Sequence, residues 1–283
     1  MEAAPARWRL LLIATALLFS TGGAAIKAAS LTGWQVASFR SLVAVLFMTL
    51  AVPEARRGWS WRLAPAAGAY AATLILFVLA NRLTTAANAI FLQSTAPLYL
   101  LVLAPWLLHE PVRRRDLLFA GVVAAGMVLC FLGTGHAVAT AADPPRGNLL
   151  ATASGLFWAL TVTGLRWLGK SGSENRALAT VAAGNAVAFV VALPMALPLN
   201  RLRGADAVVI LYLGVVQIGL AYICLGRAIR HVPAFEATTV LLLEPVMNPI
   251  WTWLVHGERP GTATLAGGAV ILLATLGNAW RQK

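Results

Sequence analysis

Apolar residues run through this 283-residue chain in blocks of 18 to 24, parted by short clusters of Pro, Gly, Arg and Asp. At 1.5 Å per residue, a helix of about 20 apolar residues crosses a bilayer core of ~30 Å. A helical period shows within the blocks: Tyr70, Thr73, Phe77, Asn81 and Thr84 recur at steps of three and four. Alternating apolar and polar positions and Asn-Gly hairpins are missing, which argues against a β-barrel. The pattern predicts helices near 9–28, 34–52, 65–82, 86–108, 115–133, 147–168, 177–198, 206–229, 235–255 and 262–280. The breaks carry turn chemistry: Pro53 with Arg56 and Arg57, His109-Glu110-Pro111 before Arg113 to Arg115, and Asp143-Pro144-Pro145 at the end of the longest loop. Gly169 to Asn175, Asn200 to Gly204 and Gly257 to Gly261 mark the others. The expected fold is therefore an all-α polytopic membrane protein of ten transmembrane helices.

Composition agrees and removes other classes. The chain is 59% hydrophobic and 11% charged, with a mean hydropathy of +0.77, too little polar surface for a soluble domain of this length. A net charge of +12 raises nucleic acid as a partner, but the basic residues lie scattered between apolar blocks and form no patch, so no nucleic-acid binding is expected. They read instead as orientation charge. Fifteen Lys and Arg (from Arg7 and Arg9 through Arg56, Arg57, Arg62, Arg113 to Arg115, Arg166, Lys170, Arg176, Arg227 and Arg230 to Arg281 and Lys283) fall on the side of the N-terminus. Six (Lys27, Arg82, Arg146, Arg201, Arg203 and Arg259) fall on the other, with Arg40 inside the second helix. Positive charge stays inside, so both termini are expected in the cytoplasm of a bacterial inner membrane, and the even helix count is preferred. The first apolar run lacks a small-residue cleavage site and reads as a retained helix. Cys130 and Cys224 have no metal or redox spacing and read as small buried side chains.

The chain also resembles itself at an offset of 148. Pairing 80–117 with 228–265 matches Arg82/Arg230, Ala86/Ala234, Pro97/Pro245, Glu110/Glu258 and others without gaps, and the proline and glutamate keep equal spacing in both copies. Five helices separate the copies, so the halves run in opposite orientation: 1–140 holds helices 1–5 and 141–283 helices 6–10. Inverted repeats are the architecture of secondary transporters, with substrate near the midplane between them. At these residues the sequence is similar to a known family. Leu243-Glu244-Pro245-Val246, then Gly257-Glu258 and Gly267-Gly268, resemble the last two helices of an EamA domain, a family of the drug/metabolite transporter superfamily. Ser94-Thr95-Ala96-Pro97, His109-Glu110-Pro111 and Gly121 form the first-half counterpart, and Phe39-Arg40 resembles the family's second-helix arginine. The resemblance implies two EamA repeats, ten helices and transport without ATP hydrolysis, often export of amino acids or related metabolites. It also implies a cavity lined by helices 1, 3, 4, 6, 8 and 9.

Polar and aromatic residues inside the helices are the binding candidates, because unpaired polar groups are costly in hydrocarbon. Phe77 lies in the stripe already described. Asn88, Leu92, Thr95 and Tyr99 form a second stripe, Ser154, Trp158 and Thr161 a third, and Ser20, Gly23 and Lys27 a fourth. Gln217 and Tyr222 add polar and aromatic groups to the eighth helix. Such stripes also serve as plain helix–helix interfaces. The repeat pairs Asn88 with Glu236, and Trp158, Tyr99 and Tyr222 suit an apolar or aromatic cargo. Glu244, before Pro245, has two readings. It either binds a cargo ammonium or carries a proton, or it is a protonated or hydrogen-bonded carboxyl at the proline break, and the second is preferred. Arg40 is either the partner of an intramembrane acid or a snorkelling side chain. The candidate substrate site is thus Trp158, Tyr99, Asn88, Thr95, Phe77, Gln217, Tyr222, Glu244 and Ser20.

Gly164 to Ser171 fits G-x-x-x-x-G-K-[ST], but no strand precedes it and apolar residues fill its variable positions, so it is a chance match. Four histidines, at 109, 136, 231 and 256, share no ligand spacing. No metal, cofactor or catalytic residue is expected. The partners are a small-molecule substrate, the bilayer and, in a coupled carrier, protons, for a monomer or weak dimer. The primary reading is a secondary transporter exporting apolar or aromatic amino acids by alternating access. The rivals are an exporter of another metabolite or drug-like amine on the same fold, a lipid-modifying membrane enzyme, and a passive channel or bundle.

Overall fold

A computed structural model describes residues 6–108, 114–133, 140–170, 176–199, 202–229 and 231–281, which are helical with short connections and no β-strand. The first span is stepped: α1 (Ala6–Ser20) passes into α2 (Gly22–Ala28) at Thr21, whose hydroxyl donates back to the Leu18 carbonyl at 2.7 Å. A capping box starts α3 (Gly33–Ala51), where Thr32 Oγ1 accepts from the Gln35 N–H and Gln35 Oε1 accepts from the Thr32 N–H. Pro53 opens a single turn, α4 (Pro53–Arg56), so it starts a helix as well as ending one. α5 (Ala64–Leu83) follows a 3₁₀ turn over Trp61–Leu63.

The predicted helix over 86–108 is two helices, α6 (Ala86–Gln93) and α7 (Ala96–Leu108). Proline explains the break: the N–H that would bond the Gln93 carbonyl belongs to residue 97, and Pro97 has none. After α8 (Arg114–Leu132), the prolines at 144 and 145 occupy the first turn of α9 (Pro144–Lys170), where their missing donors cost nothing. α10 (Arg176–Ala196) and α11 (Gly204–Leu211) follow. The chain then widens into π-helical turns over Tyr212–Leu220 before α12 (Ala221–Ala228). The predicted helix over 235–255 is again two, α13 (Ala234–Leu241) and α14 (Leu243–His256), parted at Leu242 before Pro245. Gly257, with φ +67°, ends α14 in the left-handed conformation that glycine adopts without strain. α15 (Thr262–Arg281) closes the fold.

Ser94 and Leu242, where the two broken helices part, are equivalent positions of the repeat. Packing obeys the same exchange. α5 lies on α9 and α10, while α1 lies on α12 and α3 on the π-helical segment. α6 and α7 pack on α9 as α14 packs on α1, and α3 with α10 and α8 with α15 are self-equivalent pairs. At the α8–α15 crossing the backbones touch: a Cβ on Gly267 would stand 2.5 Å from the Gly126 carbonyl oxygen, so only glycine fits.

Among the described residues, eight helices are long and apolar enough to cross a membrane. The other two predicted spans are not among them: the apolar part of α8 is the shorter stretch Asp116–Leu132, and α13–α14 carries Glu236, Glu244, Asn248 and two prolines along its length. Large apolar side chains such as Leu50, Val102, Trp106, Leu118, Val190, Leu254 and Leu273 face outward, as a lipid-facing surface requires.

Candidate functional site

A cavity of about 240 Å³ lies where the two broken helices meet the middle of the bundle. Gln93 and Ser94 from the α6 break and Leu241, Glu244 and Pro245 from the α13–α14 break line it together. Much of the remaining wall is aromatic. Phe19 meets Tyr222 edge-on at 4.9 Å between centroids, Tyr222 meets Tyr70 at 5.6 Å and 89°, and Tyr70 meets Trp158 at 6.5 Å. Phe77 and Thr73 extend this wall along α5. Gln217 and Ile218 reach the cavity from the π-helical turns, a deformation found often at functional sites.

Polar contacts hold the breaks in place. Gln93 Nε2 donates to Ser154 Oγ at 2.7 Å, and Ser154 Oγ donates to the Thr73 carbonyl at 3.1 Å, tying α6 to α9 and α5. Gly155 lets α9 approach the break, since a Cβ there would lie 3.0 Å from the Gln93 carbonyl oxygen. Two charged groups line the cavity. Arg40 is 1% exposed; its Nη2 donates to the Leu74 carbonyl at 3.1 Å and its Nε has no partner, so it does not snorkel to the surface. Glu244 lines the cavity from the first turn of α14, and among the described residues neither a hydrogen bond nor an ion pair engages its carboxylate.

The lining includes no residue of α2 or α11. That end of the bundle is closed by a buried cluster. Lys27 Nζ lies 3.0 Å from Glu258 Oε2, with both side chains under 5% exposed, and donates to the carbonyls of Thr84 (2.9 Å) and Thr140. Glu258 Oε1 accepts from the Ala86 N–H at 2.7 Å. Beside them Arg82 donates to the carbonyls of Ile26, Ala29 and Leu31, and Asp206 takes both the N–H and the hydroxyl of Ser30. At the opposite end, Arg9 pairs with Glu236 near the start of α13.

A profile of the EamA-like transporter family matches residues 6–132 and 145–280, once in each half. The chain belongs to the EamA-like transporter family. The EamA-like fold has solved counterparts: one, described only as a crystal structure of a protein, is 15% identical, covers 98% of this chain and 99% of its own, and superposes with a TM-score of 0.65. No curated protein matches the sequence.

Within this EamA-like framework the predicted residues divide. Trp158, Phe77, Gln217, Tyr222 and Glu244 come together on the cavity. Ser20, Asn88, Thr95 and Tyr99 do not line it. Ser20 Oγ accepts from Trp251 Nε1 at 2.9 Å, Asn88 Nδ2 donates to Asn148 Oδ1 at 3.1 Å, and Thr95 donates to the Leu92 carbonyl. Tyr99 is half-buried on α7 beyond the break. The cavity residues outside the predicted set include Phe19, Tyr70, Gln93, Ser94 and Leu241. Gly164 to Lys170 continue α9 as helix, as the chance-match reading requires, and Ser171 lies outside the described residues. So do His109, Glu110, Pro111, Arg113, His136, Asn175, Arg201, Arg230 and Lys283.

Proposed function

We propose that this chain is a secondary transporter that exports amino acids, apolar and aromatic ones favoured, by alternating access. The observation that carries the reading is the central aromatic cavity, formed at equivalent helix breaks of the two repeats and lined by both halves. Discontinuous helices at corresponding positions are where secondary transporters place their substrate, because freed backbone and polar groups can face a cavity instead of lipid. The aromatic wall gives an apolar side chain a flat surface to lie on. In this reading the units are 1–140 and 141–283, α8 and α13–α14 cross the bilayer as well, and the ten helices form two inverted sets of five. Both termini face the cytoplasm of a bacterial inner membrane, and the protein works as a monomer or weak dimer. Ser20, Asn88, Thr95 and Tyr99 belong to the shell that supports the site, and protons are the candidate coupling ion.

Competition uptake into liposomes holding the purified protein tests this reading, with the amino acids, nucleosides and small amines as competitors, with and without a pH gradient. Uptake blocked by apolar or aromatic amino acids is the expected result. Uptake that only a nucleoside or an amine blocks would replace the cargo assignment, and uptake insensitive to an imposed pH gradient would remove protons from the cycle.

A further inference from the structure

Two opposite charges line one cavity and leave each other alone. Arg40 is almost wholly buried on α3, with one hydrogen bond to a carbonyl and a partnerless Nε; Glu244 stands on α14 with no hydrogen bond or ion pair among the described residues. Tyr222 lines the same cavity as both. Isolated charges in a low-dielectric interior are costly, and pairing them directly is the usual remedy. Here the fold keeps them apart, with the Phe19–Tyr222–Tyr70–Trp158 wall on the same cavity. Their complement is a small molecule carrying a cation and an anion of its own beside an apolar group.

We infer that Arg40 and Glu244 read the two poles of a zwitterionic α-amino acid, with the carboxylate on Arg40, the ammonium on Glu244 and the side chain against the aromatic wall. The assignment rests on the amino-acid reading above and adds to it. It makes both poles of the cargo obligatory, because a ligand lacking one leaves a buried protein charge unpaired. A guanidinium offers a planar fork that matches a carboxylate, and a carboxylate accepts from a compact ammonium. A ligand lacking one pole is therefore expected to bind at least roughly 10-fold more weakly, the scale set by an unsatisfied buried group.

Binding to the purified full-length protein tests this with three ligands that share a phenyl ring: phenylalanine, phenethylamine (no carboxylate) and 3-phenylpropionate (no ammonium). The unaltered protein is expected to bind phenylalanine and to reject both analogues. Glu244→Gln is expected to erase the preference for phenylalanine over 3-phenylpropionate while keeping that over phenethylamine; Arg40→Gln is expected to do the reverse. Arg40 also holds the Leu74 carbonyl, so Arg40→Gln risks misfolding, and the comparison in unaltered protein and in Glu244→Gln carries the decision without it. Equal binding of all three ligands by the unaltered protein, or an equal loss of all three in Glu244→Gln, would overturn the pole assignment while leaving amino-acid transport standing. Binding of none of the three by a protein that transports a nucleoside or sugar would remove both.

Discussion

Asp206 sits in the first turn of α11 and does two jobs at once. Its Oδ1 accepts from the Ser30 N–H at 2.7 Å, while its Oδ2 accepts from the Ser30 hydroxyl at 2.6 Å and the Arg203 N–H at 3.3 Å. One carboxylate thereby caps a helix and ties the loop after α2 to the second half. Asp206→Ala leaves all three donors unmet and should cost roughly 2–3 kcal/mol, read as a lower melting temperature in detergent; an unchanged melt would mean that water replaces the carboxylate without loss. Trp158 illustrates the other kind of residue. It is only partly buried, and part of its surface faces the cavity and Tyr70. Trp158→Ala should cut uptake about 10-fold, the loss of an aromatic contact and its buried area, while the protein stays folded. Undiminished uptake of every cargo would remove Trp158 from the site. Trp158, Phe77, Gln217, Tyr222 and Glu244 were legible in the sequence because a large or polar side chain mid-helix needs a reason to be there. Phe19 was not, because the neighbouring Ser20 looked more informative, yet Ser20 turns 100° away to meet Trp251.

At the scale of elements, the stripe Asn88–Leu92–Thr95–Tyr99 assumes one continuous helix. The break at Ser94 resets the phase, so the face that reaches the cavity carries Ile90, Gln93 and Ser94 instead. Pro97 and Pro245 were visible as equal-spaced repeat markers, but their effect lies three to four residues upstream, where a carbonyl loses its donor. The π-helical turns at Tyr212–Leu220 have no such marker, since Tyr-Leu-Gly-Val-Val-Gln-Ile-Gly-Leu reads as an ordinary apolar helix. If Pro245 makes the break, Pro245→Ala should restore a donor to the Leu241 carbonyl and stabilise the fold by up to about 3 kcal/mol. Uptake should fall as the cavity loses its shape. Gains in melting temperature and losses in uptake must come together; retained uptake would show that packing, and not proline, sets the break. The α8–α15 crossing makes a separate prediction. Gly267→Leu would drive a side chain into the Gly126 carbonyl and should destabilise by about 1–3 kcal/mol, and a melt like that of the unaltered protein would show that the two helices can part freely.

Over the whole molecule the sequence carried the class, the repeat and the rough helix positions, because each rests on many residues at once. It did not carry the closure at one end, because that cluster gathers Lys27, Thr84, Ala86, Thr140 and Glu258 from segments far apart in the chain. Lys27 belongs to the half matched at 6–132 and Glu258 to that matched at 145–280, so the ion pair bridges the two repeats at the end the cavity does not reach. In the alternating-access cycle proposed above, the two halves part at this end when the site opens toward it, so the pair would exist in one state and be broken in the other. A contact present in one state biases the population by its own free energy, about 10-fold for each 1.4 kcal/mol. Glu258→Gln keeps an acceptor for the Ala86 N–H and removes the charge that holds Lys27, so it should shift the population toward the state open on the Lys27 side. Ala29→Cys, placed in a background with Cys130 and Cys224 replaced, reports on that side, since Ala29 is buried under Arg82 in the closed arrangement. Its labelling by an impermeant thiol reagent should quicken at least ~10-fold when Glu258→Gln is added. If the melting temperature falls while labelling keeps its rate, the ion pair fastens the two halves together in every state, and the opening of this end must be sought elsewhere in the bundle.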